Sequence, residues 1–229
     1  MISSTLRGLR VASLAGFLLA AQGCDVARSE GIVLPRPAQD VAASSATSQT
    51  AVFAGGCFWG VEAVFRHMKG VKSAVSGYAG GPAGSANYEA VSTGRTGHAE
   101  SVQVTYDPAQ VSYGTLLQVF LSVAHDPTEL NRQGPDVGTQ YRSAVFTVDE
   151  EQSRVARAYI AQLDAAKAYP RPIVTQVTPL AKFYPAEDYH QDYLARHPDQ
   201  PYIVYNDLPK LASLQRQYPS WYVGKAPRP

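Results

Sequence analysis

The sequence predicts an α+β fold, a two-layer sandwich of helices packed on one sheet, with long loops left free to build a site. Two patterns carry this. From residue 50 onward, short strand-like runs and amphipathic helical runs follow one another in mixed order, with no internal repeat. Two stretches rich in glycine and proline, 79–97 and 125–141, interrupt them as long loops. The 229 residues suit one domain with attachments, and 45% hydrophobic residues are enough for a buried core.

The elements follow in order. Arg7 and Arg10 precede an apolar run over 11–21. That run is shorter than the about 20 apolar residues a spanning helix needs, and it fits a secretory signal peptide over 1–23. The segment ends Ala20-Ala21-Gln22-Gly23-Cys24, which resembles the lipobox of bacterial lipoproteins, where the cysteine takes lipid and becomes the new N-terminus. Ordinary cleavage without lipid is the alternative. Residues 24–49, rich in Ala, Ser and Thr, read as a lipidated N-terminus and a flexible tether with a mean span of about 25–30 Å.

Ala51 to Ala54 reads as a buried strand that Gly55-Gly56 breaks. Phe58, Val61, Phe65 and Met68 recur at helical spacing, so a helix starts near Cys57 and ends before Gly70. Val71 to Tyr78 is a second strand. Val102, Val104 and Tyr106 alternate with polar residues as a third, and Tyr113 to Ala124 is an apolar, buried helix. Ser143 to Val148 is a strand, and Asp149 caps a helix reaching about Ala168, with Gln152 completing a capping-box-like pair. Arg171 to Val177 is a further strand, and Pro185 opens a short helix ending near His197. The domain so defined spans 50–200, and 201–229 is expected to wrap its surface as a tail.

The formal net charge of +1, spread evenly, gives no nucleic-acid footprint. Removing 1–23 leaves eighteen basic against nineteen acidic residues, so membrane attachment would rest on acyl chains, not on a basic patch. Two cysteines are too few for a disulfide scaffold. No paired histidine spacing indicates a metal.

Cys57 stands at a strand–Gly–Gly–helix junction, where free N–H groups and the helix dipole favour a thiolate. A small buried hydrophobe is the bland alternative. Glu100 shares the inner face of its strand with Val102 and Val104 by the two-residue period. A carboxyl there loses hydration and holds its proton near neutral pH, as a general acid requires. A surface glutamate at a fraying strand end is its bland counterpart.

Four segments then make the chain recognisable. Gly56-Cys57-Phe58-Trp59-Gly60 resembles the signature of the A-type peptide methionine sulfoxide reductases. Residues 94–100, 131–143 and 183–191 resemble that family's further motifs, in the right order. The resemblance covers about 50–200. It implies a ferredoxin-like core with a mixed sheet, and reduction of methionine-S-sulfoxide to methionine, leaving Cys57 as sulfenic acid. Position by position, it implies Cys57 as nucleophile, Glu100 as acid, Tyr88 and Tyr141 as hydrogen bonders of the sulfoxide oxygen, and Asp136 as an organiser. Phe58 and Trp59 would form the pocket for the terminal methyl group.

Many relatives carry resolving cysteines near the C-terminus, but this chain has no cysteine after Cys57. The expectation is an enzyme with no bound cofactor, resolved by an external thiol: a thioredoxin-like protein, a glutaredoxin or a small thiol. Its expected partners are oxidised proteins, that reductant and, through Cys24, a membrane; nucleic acid is not among them, and a monomer is expected. The expected place is the periplasmic face of a bacterial membrane as a lipoprotein, otherwise soluble in the periplasm or secreted. Two rival classes differ in what surrounds the thiol. A cysteine hydrolase would need His98 or His190 as base, and a peptide-binding lipoprotein would not need the thiol.

Overall fold

Apolar side chains at alternate positions put six strands into one sheet and leave its two faces very unequal. The computed structural model describes Met1 and residues 33–224. Cys24 and the signal and lipidation readings attached to it lie outside the described residues. Residues 33–224 belong to one compact unit.

The strands are β1 (Gln49–Gly55), β2 (Val71–Ala79), β3 (Ala99–Tyr106), the two-residue pair β4 (Arg132–Gln133) and β5 (Asp136–Val137), then β6 (Ser143–Thr147), β7 (Gln176–Pro179) and β8 (Phe183–Pro185). The helices are α1 (Phe58–Arg66), α2 (Tyr88–Ser92), α3 (Tyr113–Val119), α4 (Glu150–Ala165), α5 (Tyr193–Arg196) and α6 (Leu208–Gln217). The main sheet runs β7-β6-β1-β3-β2-β8. All its neighbours are antiparallel except β6 and β7, so the sheet is mixed. Its four central strands, β6-β1-β3-β2, with α1 after β1 and α3 after β3, form the ferredoxin-like core that the sequence led us to expect.

One face carries the main core. Phe53 of β1 stacks on Phe65 of α1 at 5.0 Å and on Phe120 at 4.8 Å, and Val102, Val104 and Tyr106 of β3 join them. Val155, Ala156, Tyr159 and Leu163 bring α4 onto the same face. The opposite face is small, built from Val52, Ala54, Ala79, Ala99, Ala144 and Phe146 with Leu180 and Phe183 over them. Alanines suffice there because no helix layer has to be met.

Four expectations need correction. The strand expected over 171–177 is displaced to β7, because Pro170 and Pro172 lack the N–H that a ladder needs and parallel pairing begins only at Ala144 with Gln176. Pro185 does not open a helix: it ends the edge strand β8, where a missing N–H is tolerated. Residues 201–217 are no surface wrap. A π-helical turn at Ile203–Asp207 leads into α6, and Ile203, Asp207 and Leu214 are buried.

Nor do residues 33–48 behave as a free tether. Leu34 is 2% exposed within the main core, and its carbonyl accepts from Gln118 Nε2 at 2.6 Å. Tyr159 donates to the Pro35 carbonyl at 2.7 Å, and Asp40 accepts the Gly114 N–H at 2.8 Å. The segment is a strap over α3 and α4, held by the buried Leu34, the half-buried Val41 and polar side chains from the helices. Composition alone concealed this, since a single leucine among small polar residues leaves no periodic trace.

Leu34→Ala should therefore destabilise the full chain by about 2–5 kcal/mol in urea unfolding, the usual range for emptying a core site. Single-turnover activity at 25 °C should stay unchanged, because the strap is remote from the site described next. A loss below about 0.5 kcal/mol would mean that the strap is not docked in solution.

Candidate active site

The site begins with a turn that only glycine accepts easily. Gly56 has φ +86°, and a Cβ there would lie 2.6 Å from Cβ of Gln133. This turn ends β1 and places Cys57 at the N-cap of α1, 8% exposed. On the adjacent strand β3, Glu100 is 2% exposed, and its Oε2 accepts the Phe58 N–H at 3.0 Å. A strand carboxyl thus occupies one of the free donors at the start of the helix that carries the thiol.

A cavity of about 280 Å³ opens here, lined by Cys57, Phe58, Trp59, Tyr88, Glu100, Asp136 and Tyr141, and also by Gln200 and Tyr202. All seven candidate residues of the domain therefore surround one space. Trp59 is braced on three sides. It stacks on Tyr193 at 3.8 Å, meets Tyr202 edge-on at 5.8 Å, and donates from Nε1 to His190 Nδ1 at 3.1 Å. Phe58 packs on His190 at 5.0 Å and Tyr78 at 5.9 Å.

The loops expected to be irregular contain short ordered pieces that aim the other residues. Asn87 caps α2 through the Ala90 N–H, and the Tyr88 N–H donates to Glu187 Oε1 at 2.9 Å. Glu187 also accepts from the Tyr78 hydroxyl at 2.8 Å. The β4–β5 hairpin presents Asp136, whose Oδ2 accepts from the Tyr202 hydroxyl. Thr139 donates to the Gly94 carbonyl at 2.7 Å, tying the loop of Tyr141 to that of Tyr88.

The electrostatics differ from one simple expectation. The helix terminus does not leave Cys57 with a low pKa: burial pushes the thiol well above its usual value, with Glu100 and then Asp207 adding to it. The Trp59 N–H and Lys210 pull the other way and are outweighed. Desolvation outruns the helix dipole because the sulfur is buried. Burial likewise lifts Glu100 to about 8, against the lowering hydrogen bond from Phe58, so the carboxyl holds its proton at neutral pH. Tyr88 and Tyr141 are pushed up by burial and by the Glu100 charge, so both remain phenols able to donate.

Neither histidine a hydrolase would need hydrogen-bonds the thiol among the described residues. His98 Nδ1 accepts the Gly81 N–H at 3.2 Å, and its Nε2 donates to the Pro82 carbonyl at 3.0 Å. His190 supports Trp59. Among the described residues, no group of His, Cys, Asp and Glu is arranged to hold a metal ion. Sequence reasoning missed Gln200, the last residue of the expected domain, and Tyr202 and Asp207, which come from the segment read as a tail. The only available signal was Pro201-Tyr202 followed by Asp207, which carries no periodicity.

The chain is similar to known proteins. The family model for peptide methionine sulfoxide reductase matches residues 49–221. Peptide methionine sulfoxide reductase MsrA 2 of Mesorhizobium japonicum is 62% identical over 178 residues, covering 78% of this chain and 91% of the relative. MsrA of Thermus thermophilus is 50% identical over 172 residues, 75% of this chain and 96% of its own. Among solved structures, methionine sulfoxide reductase A of Corynebacterium diphtheriae superposes with a TM-score of 0.56 at 37% identity, covering 72% of this chain and 83% of that one. Reduced Mxr1 of Saccharomyces cerevisiae gives 0.62 at 32%, covering 69% and 90%.

The Glu100 environment has a consequence for stability. The folded carboxyl titrates near 8 and the unfolded one near 4.5, so between those values the unfolded chain has already lost a proton that the folded chain keeps. Stability contributed at this position is therefore lost as pH rises from about 4.5 to about 8. Glu100→Gln abolishes that loss. Its stability relative to the parent should increase between pH 5 and pH 8, by on the order of a few kcal/mol in urea melts. A difference that is flat across this window would contradict a buried, protonated Glu100.

Proposed function

This chain belongs to the peptide methionine sulfoxide reductase family, and we propose that Cys57 and Glu100 carry out its reduction of protein-bound methionine-S-sulfoxide. The observation that carries this reading is the bond between Glu100 and the first N–H of α1, which brings a proton-holding carboxyl and a thiol to the same end of one cavity.

The thiol sulfur attacks the sulfoxide sulfur, and the S–O bond breaks as its oxygen gains protons. Glu100 supplies a proton to the oxygen, and the proton released by Cys57 restores it; the hydroxyl then passes to the Cys57 sulfur as the new S–S bond breaks, so that methionine leaves and Cys57 ends as sulfenic acid with no net proton consumed. Phenols at Tyr88 and Tyr141 hold the sulfoxide oxygen by donating to it, and Asp136 fixes Tyr202 at the wall. Phe58 and the braced Trp59 take the substrate's terminal methyl group. A chiral arrangement of donors on one side and aromatic wall on the other selects one epimer.

Among the described residues Cys57 is the one free cysteine. An external thiol then attacks Cys57–SOH, releasing water and forming a mixed disulfide, and a second thiol frees Cys57. The donor is a thioredoxin-like protein, a glutaredoxin or a small thiol. The N-terminal basic–apolar–cysteine pattern supports export, with Cys24 as a lipid anchor and repair of exported proteins by a monomer as the role. Incorporation of labelled palmitate that Cys24→Ser abolishes would test the anchor; unchanged labelling would remove it.

A single turnover without added thiol tests the chemistry. One methionine per enzyme is expected from the S epimer and none from the R, with a sulfenic-acid trap on Cys57. Glu100→Gln should slow that turnover by about 10²–10⁴-fold, and Cys57→Ser should abolish it. Folded protein that yields no methionine from either epimer would leave a peptide-binding role in its place.

A further inference from the structure

Behind the catalytic cavity lies a buried ion pair for which the chemistry above has no use. Asp207 is fully buried, at the junction of the π-helical turn with α6. Its Oδ1 accepts from Lys210 Nζ at 3.1 Å, while Oδ2 is buried without a hydrogen-bond partner. A carboxylate kept for packing alone normally has both oxygens satisfied. Position 60 explains how the pair is seated: a Cβ there would lie 2.1 Å from Asp207 Oδ1 and 2.7 Å from Lys210 Nζ. Gly60 is three residues after Cys57, on the first turn of α1.

We propose that the Asp207–Lys210 pair, pressed against the first turn of α1 through the gap at Gly60, is a positioning element that tunes how readily Cys57 attacks. The inference rests on the reductase reading of this site. Asp207 does not line the cavity, so it acts through the thiol and not on substrate.

The charges reaching the sulfur come from two sides. Asp207, joined by Glu100 on β3 once that carboxyl ionises above about pH 8, holds the thiol in its protonated form; Lys210 and the Trp59 backbone N–H oppose them. Tyr88, Tyr141 and Tyr202 also sense the sulfur, but burial keeps them neutral. Glu100 is needed as a proton donor, so the pair is the adjustable part. It keeps the resting thiol slow towards other electrophiles until a sulfoxide arrives with its own proton acceptor.

The test is the pH dependence of iodoacetamide labelling of the Cys57 peptide in the full chain, read by mass spectrometry so that Cys24 does not interfere. Asp207→Asn should lower the labelling midpoint by about one pH unit, roughly a tenfold faster reaction at neutral pH. Lys210→Gln should move the midpoint upward and slow the reaction. Opposite signs from the two partners of one pair are what loss of packing does not produce. Folded variants whose midpoints stay put, or shift in the same direction, overturn the proposal. Should circular dichroism show Asp207→Asn unfolded, Lys210→Gln decides alone, and a midpoint that fails to rise overturns it. Labelling needs no turnover, so parallel single-turnover assays separate failure here from failure of the reductase reading.

Discussion

The hydrogen bond from the Phe58 N–H to Glu100 Oε2 is the contact on which the site depends. It joins the helix that starts at Cys57, the proposed nucleophile, to the strand bearing Glu100, the proposed acid, across 42 positions of sequence. The ferredoxin-like order makes it possible: β3 lies directly beside β1, so a residue at the start of β3 meets the end of β1 and the start of α1. The main core beneath, with Phe53, Phe65 and Phe120 in contact, holds the two elements in register. A shift of β3 by one residue would turn Glu100 to the small alanine face and leave the helix start without its carboxyl.

Desolvation then assigns the protonation states. Burial raises both the thiol and the carboxyl, so at neutral pH the resting site holds its protons. This arrangement suits a substrate that must accept protons as its S–O bond breaks. A site built around a permanent thiolate would need another proton source. Aromatic bracing of Trp59 by Tyr193, Tyr202 and His190 fixes the orientation of the wall, and with it the pocket's handedness.

Much of this was legible in the residues. Alternation in β3 gave both its strand and the inward direction of Glu100, and the helical spacing of Phe58, Val61 and Phe65 placed α1 and its N-terminal cysteine. Motif resemblance, and not periodicity, supplied Tyr88, Tyr141 and Asp136. What stayed hidden depends on contacts distant in sequence. Leu34 enters the core from a stretch that composition reads as coil, and Tyr202 lines the site, with Asp207 buried behind it, from a segment whose proline and tyrosines suggested a wrap. The sign of the thiol shift was also beyond reach, because it is decided by the depth of burial against the helix dipole.

The central claim is that Glu100 is a neutral acid in the resting enzyme. Difference infrared spectroscopy of the carboxyl stretch, with Glu100→Gln as the subtraction, reads it directly. A protonated band that persists through pH 7 and disappears with a midpoint near 8 is the expected result. A midpoint near 4.5, with carboxylate alone at pH 7, would contradict the account and move the proton donor to the tyrosines.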